Sequence, residues 1–154
     1  EMGNEISVHA RDSTGKLTYA IHTYTTLPSG WSYCGANPFP VNGDGNCSKA
    51  AEVRVTSAGT TLFASNRGHN SLAAFKIVED GAALEFLGWP ARDLVWPRGF
   101  ELTPDSSALI ATSNSQSGLS AAPVATDDEW EGSVIVYAID EAIGHQDTSM
   151  LLTE

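Results

Sequence analysis

One stretch of this chain occurs twice. Residues 53–64 align without a gap on residues 100–111, an offset of 47 positions. Val55-Thr56 falls on Leu102-Thr103, the turn Ser57-Ala58-Gly59 on Pro104-Asp105-Ser106, and Leu62-Phe63-Ala64 on Leu109-Ile110-Ala111. Each copy is two short alternating runs around a turn, the pattern of an antiparallel strand pair. A third run recurs as Glu5-Ile6-Ser7-Val8, as Ser71-Leu72-Ala73-Ala74-Phe75 and as Ser133-Val134-Ile135-Val136-Tyr137; a turn follows each copy, and a further strand follows the first two. Self-similarity at such a spacing marks a supersecondary unit that cannot bury its face alone and must stack on copies of itself. No window longer than ten residues carries a 3.6-residue apolar stripe, and residues 140–146 offer one helical turn at most.

The expected fold class is therefore all-β, with four antiparallel strands every 45 to 60 residues, the unit of a β-propeller blade. In a chain of 154 residues the blades divide as follows: 1–30 ends one blade, 31–49 is a Cys/Gly/Pro loop, 50–92 is a full blade, and 93–154 is the next, with an acidic insertion at 116–132. That is about three blades, whereas closed propellers have about four to eight. An open stack would leave apolar blade faces in water. The remaining blades are expected from a companion chain, from a segment outside these residues or from a second copy. The cluster Asp127-Asp128-Glu129 with Glu131 reads most simply as a solvated acidic loop, with a cation or partner site as the alternative.

Charge narrows the partners. Eight basic against nineteen acidic residues give a net charge of −11, so neither nucleic acid nor an anionic membrane is expected as a partner. No run approaches the length of an apolar membrane helix, and the opening Glu1-Met2-Gly3-Asn4-Glu5 lacks the basic flank and apolar run of a signal peptide. Cys34 and Cys47 lie thirteen positions apart in one turn-rich loop, where a disulfide would contribute about 3 kcal/mol. Asn46-Cys47-Ser48 is an N-glycosylation acceptor pattern. Together these lean toward a secreted or vacuolar protein, with the cytoplasm as the alternative.

Other motifs fail. Gly30-Trp31-Ser32-Tyr33-Cys34 lacks the closing Gly of a nucleophile elbow. His9, His22, His69 and His145 are scattered and, with one Cys pair, form no zinc spacing. Asn42-Gly43-Asp44-Gly45-Asn46 has the flavour of a calcium loop, but Cys47 and Val53 stand where an EF-hand needs Gly and Glu; a Cys-bridged calcium loop stays open. No glycine pattern for phosphate or dinucleotide binding occurs. No cofactor and no metal is expected.

The wording of the repeats carries a resemblance. Ala51-Glu52-Val53-Arg54-Val55-Thr56, then Ser65-Asn66-Arg67-Gly68-His69-Asn70-Ser71, then Pro97-Arg98-Gly99-Phe100 some thirty residues on resemble the seven-bladed propeller lactonases. That family includes propeller-type 6-phosphogluconolactonases and fungal 3-carboxy-cis,cis-muconate lactonizing enzymes. The resemblance is close over about residues 50–112 and looser over 4–28 and 133–140. A seven-bladed ring of such repeats needs roughly 330 residues, so the chain is expected to be the C-terminal portion of such a protein, with the Cys loop as an elaboration. Ser57-Ala58-Gly59 departs from the Pro-Asp-Gly that family members usually carry.

The residues support a matching chemistry. Arg54, Arg67 and Arg98, three of the five arginines, fall in the best-matching segments, and guanidinium groups bind carboxylate or phosphate bidentately. Lactone opening or closure needs a proton-transfer group and a donor for the developing oxyanion. Glu52, just before an inner strand, is the candidate for proton transfer, with His69 as a second. Arg67 and Arg98 are candidates for substrate anchoring and electrostatic stabilisation. Arg54, sharing strand parity with Glu52, is either a further substrate contact or a structural ion-pair partner. The resemblance implies a metal-independent reaction on a small anionic lactone, with further site residues on other blades. The alternative is a non-catalytic secreted propeller that binds a protein or small ligand.

Overall fold

Twelve short strands in four sheets are found among the described residues. The computed structural model describes residues 3–33, 47–91, 93–114 and 132–139, and the backbone of 152–153. β1 (Glu5–Arg11) and β2 (Leu17–Thr25) form an antiparallel hairpin. Its turn is held by Asp12, whose Oδ1 accepts from the Thr14 and Lys16 amides at 2.8 and 3.0 Å. β3 (Ser32–Tyr33) and β4 (Cys47–Ser48) form a two-residue parallel pair at the feet of the Cys loop, which the sequence had shown only as loop.

The central sheet is a complete blade: β5 (Ala50–Val55), β6 (Thr61–Asn66), β7 (Ser71–Val78) and β8 (Ala83–Ala91), hydrogen-bonded antiparallel in that order. The next sheet repeats the order with β9 (Phe100–Leu102), β10 (Ala108–Ser113), β11 (Ser133–Ile139) and β12 (Leu152–Thr153). β8 runs through Pro90, a residue type that usually ends a strand. The residue falls in a bulge between the Leu72–Ala91 and Ala74–Gly88 pairs of the outermost strand, where a missing N–H removes no needed ladder bond.

Strand alternation builds the core. On one face of the central blade Phe63, Leu72 and Ala74 pack with Phe100, Leu109, Ala111 and Tyr137 of the following blade. On the other, Leu62, Ala64, Ala73 and Phe75 pack with Ile6, Val8 and Tyr24 of the hairpin. Odd and even residues of β6 and β7 thus serve opposite neighbours, which explains why every residue of β6 is buried. The outward face of the last blade carries Ile110, Val134 and Val136, the last two 66% and 54% exposed. Among the described residues the stack of sheets closes no ring: the fold is all-β and consistent with part of a propeller. Cys34, Asn46, Asn42 to Asp44, residues 116–131 and residues 140–146 lie outside the described residues, so the disulfide, glycosylation, calcium-loop, acidic-insertion and helical-turn expectations fall there.

The 47-residue repeat holds in atomic detail. Thr56 and Thr103 each donate their amide across the turn at 2.9 Å, to Thr61 and Ala108 respectively, and receive an amide on Oγ1 from the same residue. Asp105 tightens the second turn: it accepts from the Thr103 hydroxyl and from the Ser107 amide and hydroxyl, which lowers its pKa from 3.8 to about 2. A carboxyl with a depressed folded pKa adds stability above its unfolded value and loses it as pH falls through the folded one. Asp105→Asn is therefore expected to lower the melting temperature at pH 7, with the gap to wild type closing between about pH 4 and pH 2. A gap that persists unchanged at pH 2 in thermal unfolding would contradict this.

Candidate active site

Antiparallel order places the start of β5, the β6–β7 turn at residues 67–70, the end of β8 and the approach to β9 at one end of the blades. Glu52, Arg67, His69 and Arg98 all belong to that end, and the structure gives them different surroundings.

Glu52 lies inside β5, not ahead of it. Between Ala50 and Val53 the strand carries one residue more than β6 opposite, a bulge of the kind that re-aims side chains. The Glu52 amide is taken up by Ser65 Oγ at 3.0 Å. At the repeat-equivalent place, Thr112 donates its amide and hydroxyl to the Gly99 carbonyl at 3.1 and 3.0 Å. Arg54 joins two carboxylates: Nη1 pairs with Glu52 on its own strand, and Nε donates to Glu101 on β9 at 2.9 Å. Glu52 and Arg54 expose about a third of their side chains, 32% and 36%. The hydrogen bond from Arg54, followed by the Leu102 amide, holds the Glu101 carboxyl below its usual range; that same bond raises the Arg54 pKa. Inner strands of adjacent blades are thus tied by one guanidinium.

Arg98, exposed two residues before β9, makes no hydrogen bond or ion pair with a described residue. Arg67 is its opposite. Only 7% exposed, it donates from Nε and Nη2 to the Lys49 and Ala50 carbonyls at 3.4 and 3.2 Å, and its guanidinium lies 5.9 Å from the centre of the Trp96 ring. His69 is edge-to-face with Trp31 and Trp89, at 4.6 and 5.4 Å between centroids, and its Nδ1 meets the buried Ser71 hydroxyl at 2.6 Å. The structure therefore brings Glu52 and Arg54 together and leaves Arg98 open, while Arg67 and His69 are engaged in holding the turn.

Two features were missed in the sequence. Glu101 is the 47-residue equivalent of Arg54, and opposite charges at equivalent positions of neighbouring blades are a signal that was there to read. The other is a buried polar tie. Asn66 accepts from Thr26 Oγ1 at 2.6 Å and donates to the Thr26 carbonyl at 2.8 Å, and that carbonyl also takes the Trp89 indole N–H at 2.9 Å. It joins the end of the hairpin to the end of β6 and to β8. Among the described residues no group of three or more His, Cys, Asp or Glu could hold a metal ion.

The family model described as lactonase, 7-bladed beta-propeller, matches residues 1–129. The chain belongs to this family. An uncharacterized protein of Staphylococcus epidermidis is 34% identical over 110 residues, covering 71% of this chain and 28% of that protein. Among solved structures, a Lactobacillus plantarum protein superposes with TM-score 0.66 at 23% identity, covering 99% of this chain and 35% of that one. A putative 6-phosphogluconolactonase of Bacteroides fragilis gives 0.62 at 22%, covering 99% and 32%. These two likenesses show the fold alone. This lactonase-family chain spans about a third of the length of the proteins it matches.

The extent of the match corrects the earlier placement. A C-terminal portion was expected, with the resemblance centred on residues 50–112 and returning over 133–140. The match instead begins at residue 1, runs through the Cys loop and stops at 129. The loop taken as an elaboration lies inside the matched span, and β11 lies beyond it.

Proposed function

We propose that this chain supplies one wall of a channel in which a small anionic lactone is opened. Support comes from Glu52 and Arg98 standing near the starts of adjacent inner strands in a chain of the lactonase family. In this reading water attacks the lactone carbonyl carbon and Glu52 takes its proton. The ring C–O bond breaks, and the proton passes to the departing alkoxide, giving the hydroxy acid. Arg98 holds the substrate's phosphate or carboxylate, or the oxyanion as it forms. Arg54 orients Glu52, and Arg67 and His69 keep the turn beneath it in place. The remaining blades would complete the site.

The test is Arg98→Ala in the complete ring. Losing a charged hydrogen-bonding partner of roughly 1.5–3 kcal/mol is expected to lower kcat/KM for a phosphorylated sugar lactone about 10- to 100-fold, with a smaller loss for an uncharged lactone. Equal losses on both substrates would assign Arg98 to the oxyanion rather than to the substrate's anionic group, and no loss on either would remove it from the site.

A further inference from the structure

The backbone leading to Arg98 is held in an unfavourable shape. Trp96 has φ 51°, in the left-handed region that a bulky aromatic residue rarely enters. Pro97 follows it, and a residue ahead of proline is pushed toward extended backbone. Two local preferences are overridden at one position, and such strain persists only where the surroundings over-determine it. Here they do. The Trp96 amide donates to Asn70 Oδ1, in the β6–β7 turn, at 2.9 Å. Trp96 is buried, with the Arg67 guanidinium 5.9 Å from its ring centre. One residue earlier, the Val95 amide donates to Ser113 Oγ at 2.8 Å and the Val95 carbonyl accepts the Asn114 amide at 2.7 Å. Pro97 is buried, Arg98 emerges exposed, and the Gly99 carbonyl is fixed in turn by Thr112. The Arg98 backbone therefore hangs between two anchors, Asn70 on the central blade and Thr112 on the next.

The preceding link in the chain lacks this device. Lys49 is the 47-residue equivalent of Trp96, and Asn4 matches Asn70, with φ 52° and 54°, each one residue ahead of its strand. Asn4 grips its link in the opposite sense, donating from Nδ2 to the Ser48 carbonyl at 3.0 Å, and Lys49 does not have a positive φ. Where the later link carries Arg98, this one carries Ala51. The left-handed residue goes with the arginine. Taking Arg98 as the anion anchor of the proposed site, we infer that Asn70 and Trp96 are its positioning residues. Asn70 Oδ1 holds Trp96 in the left-handed conformation, and the resulting bend sets where Arg98 leaves the backbone. Arg98 then has only side-chain rotamers to fix when it takes up a phosphate or carboxylate, which lowers the entropic cost of binding.

The test is a double-mutant cycle in the complete ring with 6-phosphoglucono-δ-lactone. Asn70→Gly deletes the acceptor and suits a φ of 54°, so the fold is expected to hold in far-UV spectra and thermal melts. The variant is expected to lose about tenfold in kcat/KM, more through KM than through kcat, and to cost nothing further when added to Arg98→Ala. A residue that only supported the fold would multiply its loss onto that of Arg98→Ala. Multiplied losses would overturn the positioning role, as would wild-type kcat/KM in Asn70→Gly beside a clear loss in Arg98→Ala. An Asn70→Gly variant that no longer folds would make Asn70 structural and overturn it too. If wild type opens no lactone, or Arg98→Ala costs nothing, the anchoring role of Arg98 itself falls and the positioning role with it.

Discussion

Gly68→Ala is expected to destabilise the protein by about 3 kcal/mol or more, at the upper end of overpacking effects. The cause is close approach, since a Cβ on Gly68 would stand 2.1 Å from the Cys47 carbonyl oxygen and 2.9 Å from Ser48 Cα. Both are backbone atoms, and the segment that carries them is pinned. The Ser48 carbonyl takes the Asn4 side-chain amide at 3.0 Å, Ser48 Oγ takes the His69 amide at 3.2 Å, and the Lys49 carbonyl takes the Arg67 amide at 2.9 Å. Relief would have to break the hairpin-to-blade tie or the turn itself. Urea unfolding of the variant beside wild type measures the loss. A difference within about 0.5 kcal/mol, ordinary for a surface change, would show that the Cys47–Ser48 strand yields freely.

Glu52→Gln is expected to lower kcat for lactone opening about 10²- to 10⁴-fold, the usual worth of a positioned proton-transfer group, and to leave folding intact. Gln keeps the size of the side chain, and the bulge is held by the Glu52 backbone amide on Ser65. Arg54 keeps Glu101 as its partner, so the substitution strands no charge. Kinetics on the folded variant, with its far-UV spectrum as the control, decide the point. Unchanged kcat would assign Glu52 to the ion pair alone and return proton transfer to another blade.

The blade architecture was legible because a repeat spacing is a direct consequence of stacking: residues 53–64 and 100–111 look alike because they do the same work in neighbouring blades. Strand identity and parity followed, since Phe63 and Ala64 must face opposite neighbours once both faces of a sheet are covered. The ends of elements were less visible. Pro90 reads as a stop, but an outermost strand with a bulge accommodates it, and two-residue strands such as β3 and β4 leave no periodicity to detect. The site divided along the same line. Arg54 and Glu52 share a strand face two residues apart, so their pairing could be anticipated, whereas Arg54–Glu101 spans two blades and needed the stacking to be known. Arg67 looked like an anion anchor because guanidinium chemistry suggests one. Only the fold shows the Lys49 and Ala50 carbonyls converging on it, since they lie 18 and 17 residues away.

The ring to which this chain contributes is proposed to open a small anionic lactone. The measurement that tests it most directly is proton release, followed in a pH-stat at neutral pH, when the complete ring is given 6-phosphoglucono-δ-lactone. Hydroxy-acid formation is expected well above the spontaneous rate, saturable in lactone, inhibited by the hydroxy-acid product and reduced by Glu52→Gln. Proton release at the spontaneous rate for this and for a carboxylated muconolactone, from a protein shown to be folded and complete, would contradict it.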